Sequence, residues 1–239
     1  ELKKYKFSKV FDLQNSSRTN FYKNILFPKA GKEIWSSSAT TLPDDKNKEE
    51  FDKISVLERF DHQLKISMLN TSNTLKPDFT WACKDISEIN NHYSLKKYIL
   101  LFPFCSPHLT IKKWPYYNDL TKLIGDKFGD EYKVVTAPGP SEVNDAKQLK
   151  ALPLLDNGKA LDIFQLSSLI KASAFVIAND TGPAHIAAHI GAKGLTLFGK
   201  HTTAYKVNIE RENFKAIQVN DLNNLSAEKV FERLSNSLS

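Results

Sequence analysis

The stretch Ala174-Phe-Val-Ile-Ala-Asn-Asp-Thr-Gly-Pro-Ala-His-Ile-Ala-Ala-His189 changes character at its centre. Ala174–Ala178 is a continuous apolar run of strand length, and it ends at Asn179 and Asp180. Pro183 to Ile190 reads as a helix. Between the two, Thr181 can cap the helix, Gly182 allows close backbone approach, and Pro183 begins the helix where no N–H is needed. The open N–H groups of that first turn, reinforced by the helix dipole, form an anion site that suits a pyrophosphate. His185 lies in the same turn and can add a donor. Ala187 and Ala188 keep the helix thin where it packs on a sheet. A plain, well-formed helix start accounts for the same residues, and spacing alone does not separate the two readings. His185 and His189 stand four apart, as in the zinc pair of a metalloprotease. Ile186 occupies the position where that motif needs Glu, and no third ligand follows at a suitable spacing, so no metal site is expected.

Outward from this turn, strands and helices alternate. Tyr98–Phe102 reads as a strand, 115–128 as a helix followed by Gly129, and Tyr132–Thr136 as a strand. Ser141–Lys150 reads as a short helix capped by Ser141, Ala151–Leu155 as a weak strand, Leu161–Ala172 as an amphipathic helix and Gly194–Phe198 as a strand. Such alternation implies a parallel sheet covered on both faces, with ligands at the carboxyl ends of its strands. Ser226–Leu238 reads as a final helix. The first ninety residues are less regular. Lys9–Leu13 is a short strand, Ser36–Glu50 an exposed loop, Glu50–Leu69 helical by apolar spacing, and 87–97 a polar connection at which the domain boundary is placed.

Composition narrows the class. The 239 residues suffice for one large or two modest domains, with 41% hydrophobic and 25% charged residues, ordinary for a globular chain. No apolar run approaches the roughly 20 residues of a membrane span, and Glu1-Leu-Lys-Lys-Tyr-Lys6 lacks the apolar core of a signal peptide. Cys83 and Cys105 are too few for a disulfide framework, so a reducing cytoplasm is the expected compartment. The net charge of +6 comes from scattered lysines. No nucleic-acid motif accompanies it, and nucleic acid is not expected as a partner. No Gly-x-Gly-x-x-Gly follows a strand, which disfavours a dinucleotide enzyme.

Asp180-Thr-Gly-Pro-Ala-His-Ile-Ala-Ala188, followed by Gly191-Ala-Lys-Gly-Leu-Thr-Leu-Phe-Gly199, resembles the signature of glycosyltransferase family 9, which contains the ADP-heptose:lipopolysaccharide heptosyltransferases. The resemblance implies a GT-B type α/β fold, with a Rossmann-like C-terminal donor domain over 93–225, a C-terminal helix over 226–239, and an N-terminal α/β acceptor domain over 1–92. It implies that Lys112, two residues before Trp114-Pro115, contacts the donor pyrophosphate. It places Glu142 on the donor ribose hydroxyls, which a carboxylate can accept. Without the resemblance, Glu142 reads equally as a helix-start acid, while the alternative for Lys112, a solvated lysine pair beside a core Trp, is the weaker reading for a Lys–Trp–Pro trio at a strand end. Asp180, Thr181, Gly182 and His185 complete the expected donor site, Lys112 and Asp180 serving catalysis. His201 and Thr202, in a loop that departs from the family pattern, are weaker contacts.

Phe11-Asp-Leu-Gln-Asn-Ser-Ser-Arg18 resembles a strand and helix that lie well inside the family's N-terminal domain. The Gly-Asp loop that carries the family's proposed base does not precede it. The acceptor domain is therefore read as incomplete, with three alternatives open: a fragment, a shortened homologue with another base such as Asp12 or Asp61, or a chain without catalysis. The expected function is an inverting, metal-independent transfer of a heptose-like sugar from a nucleoside diphosphate to a lipopolysaccharide-type glycolipid, with peripheral contact at the inner membrane and no cofactor. The alternative is a non-catalytic nucleotide-sugar-binding module.

Overall fold

Ser16, Asn47 and Ser55 each accept the N–H of the residue three positions on, and that residue's side chain accepts the cap's own N–H. These reciprocal caps organise the first of two compact units in the computed structural model, which describes residues 4–5, 7–29, 31 and 33–238. Part of the charged opening segment, Glu1–Lys3 and Lys6, lies outside the described residues. The first unit, which runs to Pro77 and also takes in Lys206–Asn208, holds β1 (Val10–Phe11), α1 (Ser17–Leu26), β2 (Trp35–Ser36), α2 (Lys48–Phe51) and α3 (Val56–Ile66). β1 and β2 pair in parallel. Gln63, fully buried on α3, donates from Nε2 to the Asp12 and Ser36 carbonyls at 3.1 and 2.9 Å, tying the helix to both strands. The single helix expected from Glu50 onward is two, because Ser55 is extended (φ −62°, ψ 153°) and starts a new one.

The second unit begins at Asp78, earlier than the boundary expected at 92. The intervening segment is held by this unit's own residues. The Lys84 N–H donates to Ser168 Oγ at 2.7 Å, and the Tyr93 hydroxyl both donates to the Leu155 carbonyl and accepts its N–H at 3.0 Å. The polar connection expected over 87–97 contains the helix α4 (Ser87–His92), with Ile89 buried. The remaining elements are β3 (Tyr98–Phe102), α5 (Tyr117–Phe128), β4 (Lys133–Thr136), α6 (Val143–Ala146), β5 (Leu152–Pro153), α7 (Ile163–Ala172), β6 (Phe175–Asn179), α8 (Gly182–His189), β7 (Gly194–Phe198), α9 (Ala204–Val207), β8 (Phe214–Gln218) and α10 (Ala227–Leu238).

The strands form one parallel six-stranded sheet in the order β5-β4-β3-β6-β7-β8. β3, β6 and β7 are buried at all five positions each, as central strands of a doubly covered sheet must be. β5 is two residues long and carries Pro153, which suits only an edge. The chain runs outward from β3 to β5, crosses back to β6 beside β3, and continues outward to β8. That reversal leaves a crevice at the carboxyl ends of β3 and β6, the place where open α/β sheets bind ligands.

Under the sheet, Trp114, Leu120 and Ile124 pack with Ile99, Leu101, Phe175 and Ile177. The final helix is part of this core rather than a separate segment: Val230 and Leu234 are fully buried in the same cluster, each worth about 1.5–3 kcal/mol. Gly194 marks the tightest packing. A Cβ there would lie 2.5 Å from the Val176 carbonyl oxygen and 2.8 Å from the Phe214 ring. Gly194→Ala is expected to destabilise by about 1–3 kcal/mol through overpacking, read as a lower urea midpoint at unchanged slope.

Candidate functional site

Two loops meet at the crevice, and a buried amide joins them. Asn179, the last residue of β6, is fully buried. Its Nδ2 donates to the Pro103 carbonyl at 2.8 Å, just beyond β3. Its Oδ1 accepts the Trp114 N–H at 3.3 Å and lies 3.2 Å from the Tyr117 hydroxyl. Trp114 is further fixed by its indole N–H, which donates to the Leu225 carbonyl at 2.7 Å. The loop after β3 is thereby clamped to the end of β6, and Lys112 rides on it in a 3-10 turn, Thr110–Lys112. The sequence reading assigned Asn179 no role. The available signal was an amide at the end of an otherwise apolar strand, which must find partners if buried.

Lys112 reaches the next residue along. Its Nζ lies 2.6 Å from Asp180 Oδ2 and 3.3 Å from the Asp180 carbonyl oxygen. His201 Nε2 approaches the same Oδ2 at 3.0 Å, and His185 Nε2 lies 3.6 Å from Oδ1. Asp180 is 3% exposed. Burial by itself would raise its carboxyl. The His185 and Lys112 donors, then the charge of Lys112 and the His201 contact, more than offset that and hold it well below the usual carboxylate range. Asp180 is therefore an anion at the centre of three nitrogen groups, and of the two lysines in this loop it is Lys112 that the fold aims at it.

Thr181, Gly182 and Pro183 open α8 next to this cluster. Thr181 occupies the N-cap position, but its side chain makes no cap hydrogen bond; its hydroxyl donates back to the Asn179 carbonyl at 3.3 Å. The first turn of α8 therefore lacks the side-chain cap expected from Thr181; Pro183 has no N–H, and the Ala184 N–H donates to the Thr181 carbonyl at 3.0 Å. Thr181, Gly182 and Pro183 line a cleft of about 360 Å³ together with Phe104, Cys105, the Ala137–Pro140 loop, Glu142, Leu161, Ile163 and Leu166. Glu142 itself, not Ser141, is the N-cap residue of the short helix α6. It makes no cap bond there, and its Oε2 accepts the Gly139 N–H at 2.7 Å. The structure thus brings Glu142, Thr181 and Gly182 to one cleft and Lys112, Asp180, His185 and His201 to one ionic cluster. The two share the Asp180–Gly182 turn. Thr202 does not line the cleft.

His189 belongs to neither. Its Nδ1 accepts from Arg211 Nη2 at 3.2 Å. Burial first, then the charges of Arg211 and His185, pushes its pKa down to about 4. The folded state therefore prefers neutral His189, and its contribution to stability is complete above the unfolded value near 6.5. It is lost as pH falls from there toward about 4, because the unfolded chain then binds the extra proton. Wild type is expected to lose stability across that window more steeply than His189→Asn, measured by urea denaturation at pH 7.5, 5.5 and 4.5.

The carboxylates considered as bases lie in the N-terminal unit, and both hold structure. Asp12 is buried, with Oδ1 accepting the Asn15 N–H at 2.9 Å, and Asp61 pairs with Lys65 at 2.6 Å.

The model of glycosyltransferase family 9 (heptosyltransferase) matches residues 1–234. Among solved structures, the chain is similar to E. coli heptosyltransferase WaaC with ADP, at TM-score 0.64 and 15% identity, covering 98% of this chain and 74% of that one. It is similar to E. coli ADP-heptose LPS heptosyltransferase II at TM-score 0.56 and 20% identity, over 77% of this chain and 62% of that one. A glycosyl transferase family 9 structure from Veillonella parvula aligns at TM-score 0.61 and 16% identity, over 90% of this chain and 65% of that one. The chain thus spans less than two thirds of the length of the latter two proteins. At these identities the likeness shows the fold, and it agrees with the expected GT-B type α/β class. A search of curated proteins returns no match.

Proposed function

Because the chain belongs to glycosyltransferase family 9, we propose that its second unit holds the nucleoside diphosphate of a sugar donor, for transfer of a heptose-like sugar to a lipopolysaccharide-type glycan. The observation that carries this is the Lys112–Asp180 pair at the open N-terminus of α8. It stands at the reversal point of the sheet, beside a cleft sized for a nucleotide. Departure of the sugar leaves charge on the diphosphate. Lys112 and the Gly182 N–H at the start of α8 stabilise that charge without a metal. Glu142 holds the ribose hydroxyls, Asp180 orients Lys112, and His185 adds a donor on the phosphate side. A second family structure, E. coli WaaC with ADP-2-deoxy-2-fluoro heptose, supports an ADP-linked sugar as the donor to try first. The transfer is read as inverting, with the acceptor a glycolipid met at the cytoplasmic face of the inner membrane. No helix among the described residues is long and apolar enough to cross a membrane.

Calorimetric titration with ADP, UDP and GDP tests the donor reading, and absence of binding by all three and by their sugars overturns it. A chemical footprint gives a local check. Cys105 lines the cleft and Cys83 does not. Burial raises the Cys105 thiol, so alkylation is best followed near pH 8.5. Bound ADP is expected to slow alkylation of Cys105 at least fivefold and leave Cys83 unchanged; equal protection of both places the nucleotide elsewhere. An assay of sugar transfer separates the enzyme from a module that only binds.

A further inference from the structure

Lys112 and His201 approach one oxygen, Asp180 Oδ2, at 2.6 and 3.0 Å. Their mobilities differ. The Lys112 side chain is 21% exposed on a flexible stem, while His201 is 9% exposed. The His201 ring stacks on Phe198 at the end of β7, with centroids 6.0 Å apart and planes 19° from parallel. A carboxylate only accepts, so His201 Nε2 carries the hydrogen and donates to Asp180. Its other nitrogen, Nδ1, is buried without a partner. A histidine placed for packing alone gains nothing from that orphan nitrogen. The ring is oriented for the Asp180 bond at the expense of its second nitrogen.

A lysine paired to a buried carboxylate is not free for a phosphate. If Lys112 turns to a diphosphate, Asp180, 3% exposed, loses its closest donor, and a buried anion short of donors pulls the lysine back. We propose that His201 is a positioning residue of the donor site, retaining Asp180 Oδ2 while Lys112 turns to the diphosphate. The other histidines do not face Oδ2: His185 stands at 3.6 Å from the opposite oxygen, Oδ1, and His189 is taken by Arg211. This inference rests on the donor-site reading above.

Titration of ADP into the full chain tests it. His201→Phe keeps the ring stack and removes the donor, and is expected to weaken ADP binding about tenfold. His201→Gln keeps a donor and is expected to stay within about threefold of wild type. In a Lys112→Met background, His201→Phe is expected to cost no further affinity, because the effect runs through the lysine. Equal losses in both backgrounds, or failure of Gln to recover binding, assign His201 a packing role and overturn the proposal. If His201→Phe does not fold, His201→Ala with millimolar imidazole in the buffer replaces it. Recovery of affinity by imidazole supports the proposal, and no recovery overturns it. Wild type that binds ADP while His201→Phe binds equally well removes only this inference. Wild type that binds no nucleotide removes the donor reading itself.

Discussion

Lys112→Met is expected to weaken binding of a nucleoside diphosphate about a hundredfold, while Asp180→Asn is expected to leave it unchanged or tighter. The two residues form one ion pair at 2.6 Å, so a view of the pair as simple structural glue predicts similar losses from either change. The donor reading separates them. Lys112 supplies charge-assisted hydrogen bonds to the diphosphate, worth about 1.5–3 kcal/mol, and a hundredfold is about 2.7 kcal/mol. Asp180 places a negative charge beside the same anion, so neutralising it removes a repulsion and releases Lys112. Turnover follows a different order, since Asp180→Asn loses the geometry that holds the lysine during transfer. Stability separates the pair again. Lys112→Met leaves a nearly buried carboxylate with only histidine donors, a change that costs about 3 kcal/mol where a buried pair loses one partner. Asp180→Asn keeps an acceptor for Lys112 and costs less. Calorimetry on both variants, with thermal unfolding as a control for folded protein, checks the order. Asp180→Asn losing as much affinity as Lys112→Met defeats it.

Much of the fold is legible in the chain because its central strands need no context. β3, β6 and β7 are apolar at nearly every position, and a strand buried on both faces has no other pattern available. The Asp180-Thr-Gly-Pro turn is legible for a similar reason: strand end, Gly and Pro each carry a local meaning. The edges are less so. β8 buries only Phe214 of its five residues, stands beside charged Arg211 and Glu212, and resembles a loop in composition. β2 is two residues inside a hydroxyl-rich run, Trp35-Ser-Ser-Ser38, and its strand character comes from pairing with β1 and from Gln63. Within the site, the expected residues Lys112, Glu142, Asp180, Thr181, Gly182 and His185 fall into two adjoining groups. Their connections were not legible. Lys112 and Asp180 are 68 positions apart and His201 another 21 beyond; only the sheet order brings those loops together. Local rules also misplace caps. Thr181 has the right type for an N-cap bond, yet its hydroxyl donates to the Asn179 carbonyl and caps nothing, since Pro183 has no N–H to offer and the Ala184 N–H goes to the Thr181 carbonyl.

Asn179→Leu is expected to be the most destabilising single change at the site, by about 3–5 kcal/mol. The side chain has no exposure and serves three partners on two segments: the Pro103 carbonyl, the Trp114 N–H and the Tyr117 hydroxyl. Leucine has the same branched four-atom skeleton with bulkier ends, so the change removes the polar contacts and adds some overpacking. It strands a buried carbonyl and a buried N–H, each at about 1–3 kcal/mol. The Tyr117 hydroxyl keeps a second acceptor, the Phe102 carbonyl at 3.2 Å. Tyr117→Phe should therefore cost only about 1 kcal/mol, and the contrast between the two variants measures the clamp rather than the neighbourhood. The clamp also sets function: with Asn179 gone, the Trp114 N–H loses its bond to the end of β6, and Lys112, two residues before it, loses its register with Asp180. Denaturant unfolding should show the large shift for Asn179→Leu and the small one for Tyr117→Phe, and ADP affinity should fall only in the first. Equal shifts in the two variants would mean that burial of apolar groups, not this amide, holds the two loops together.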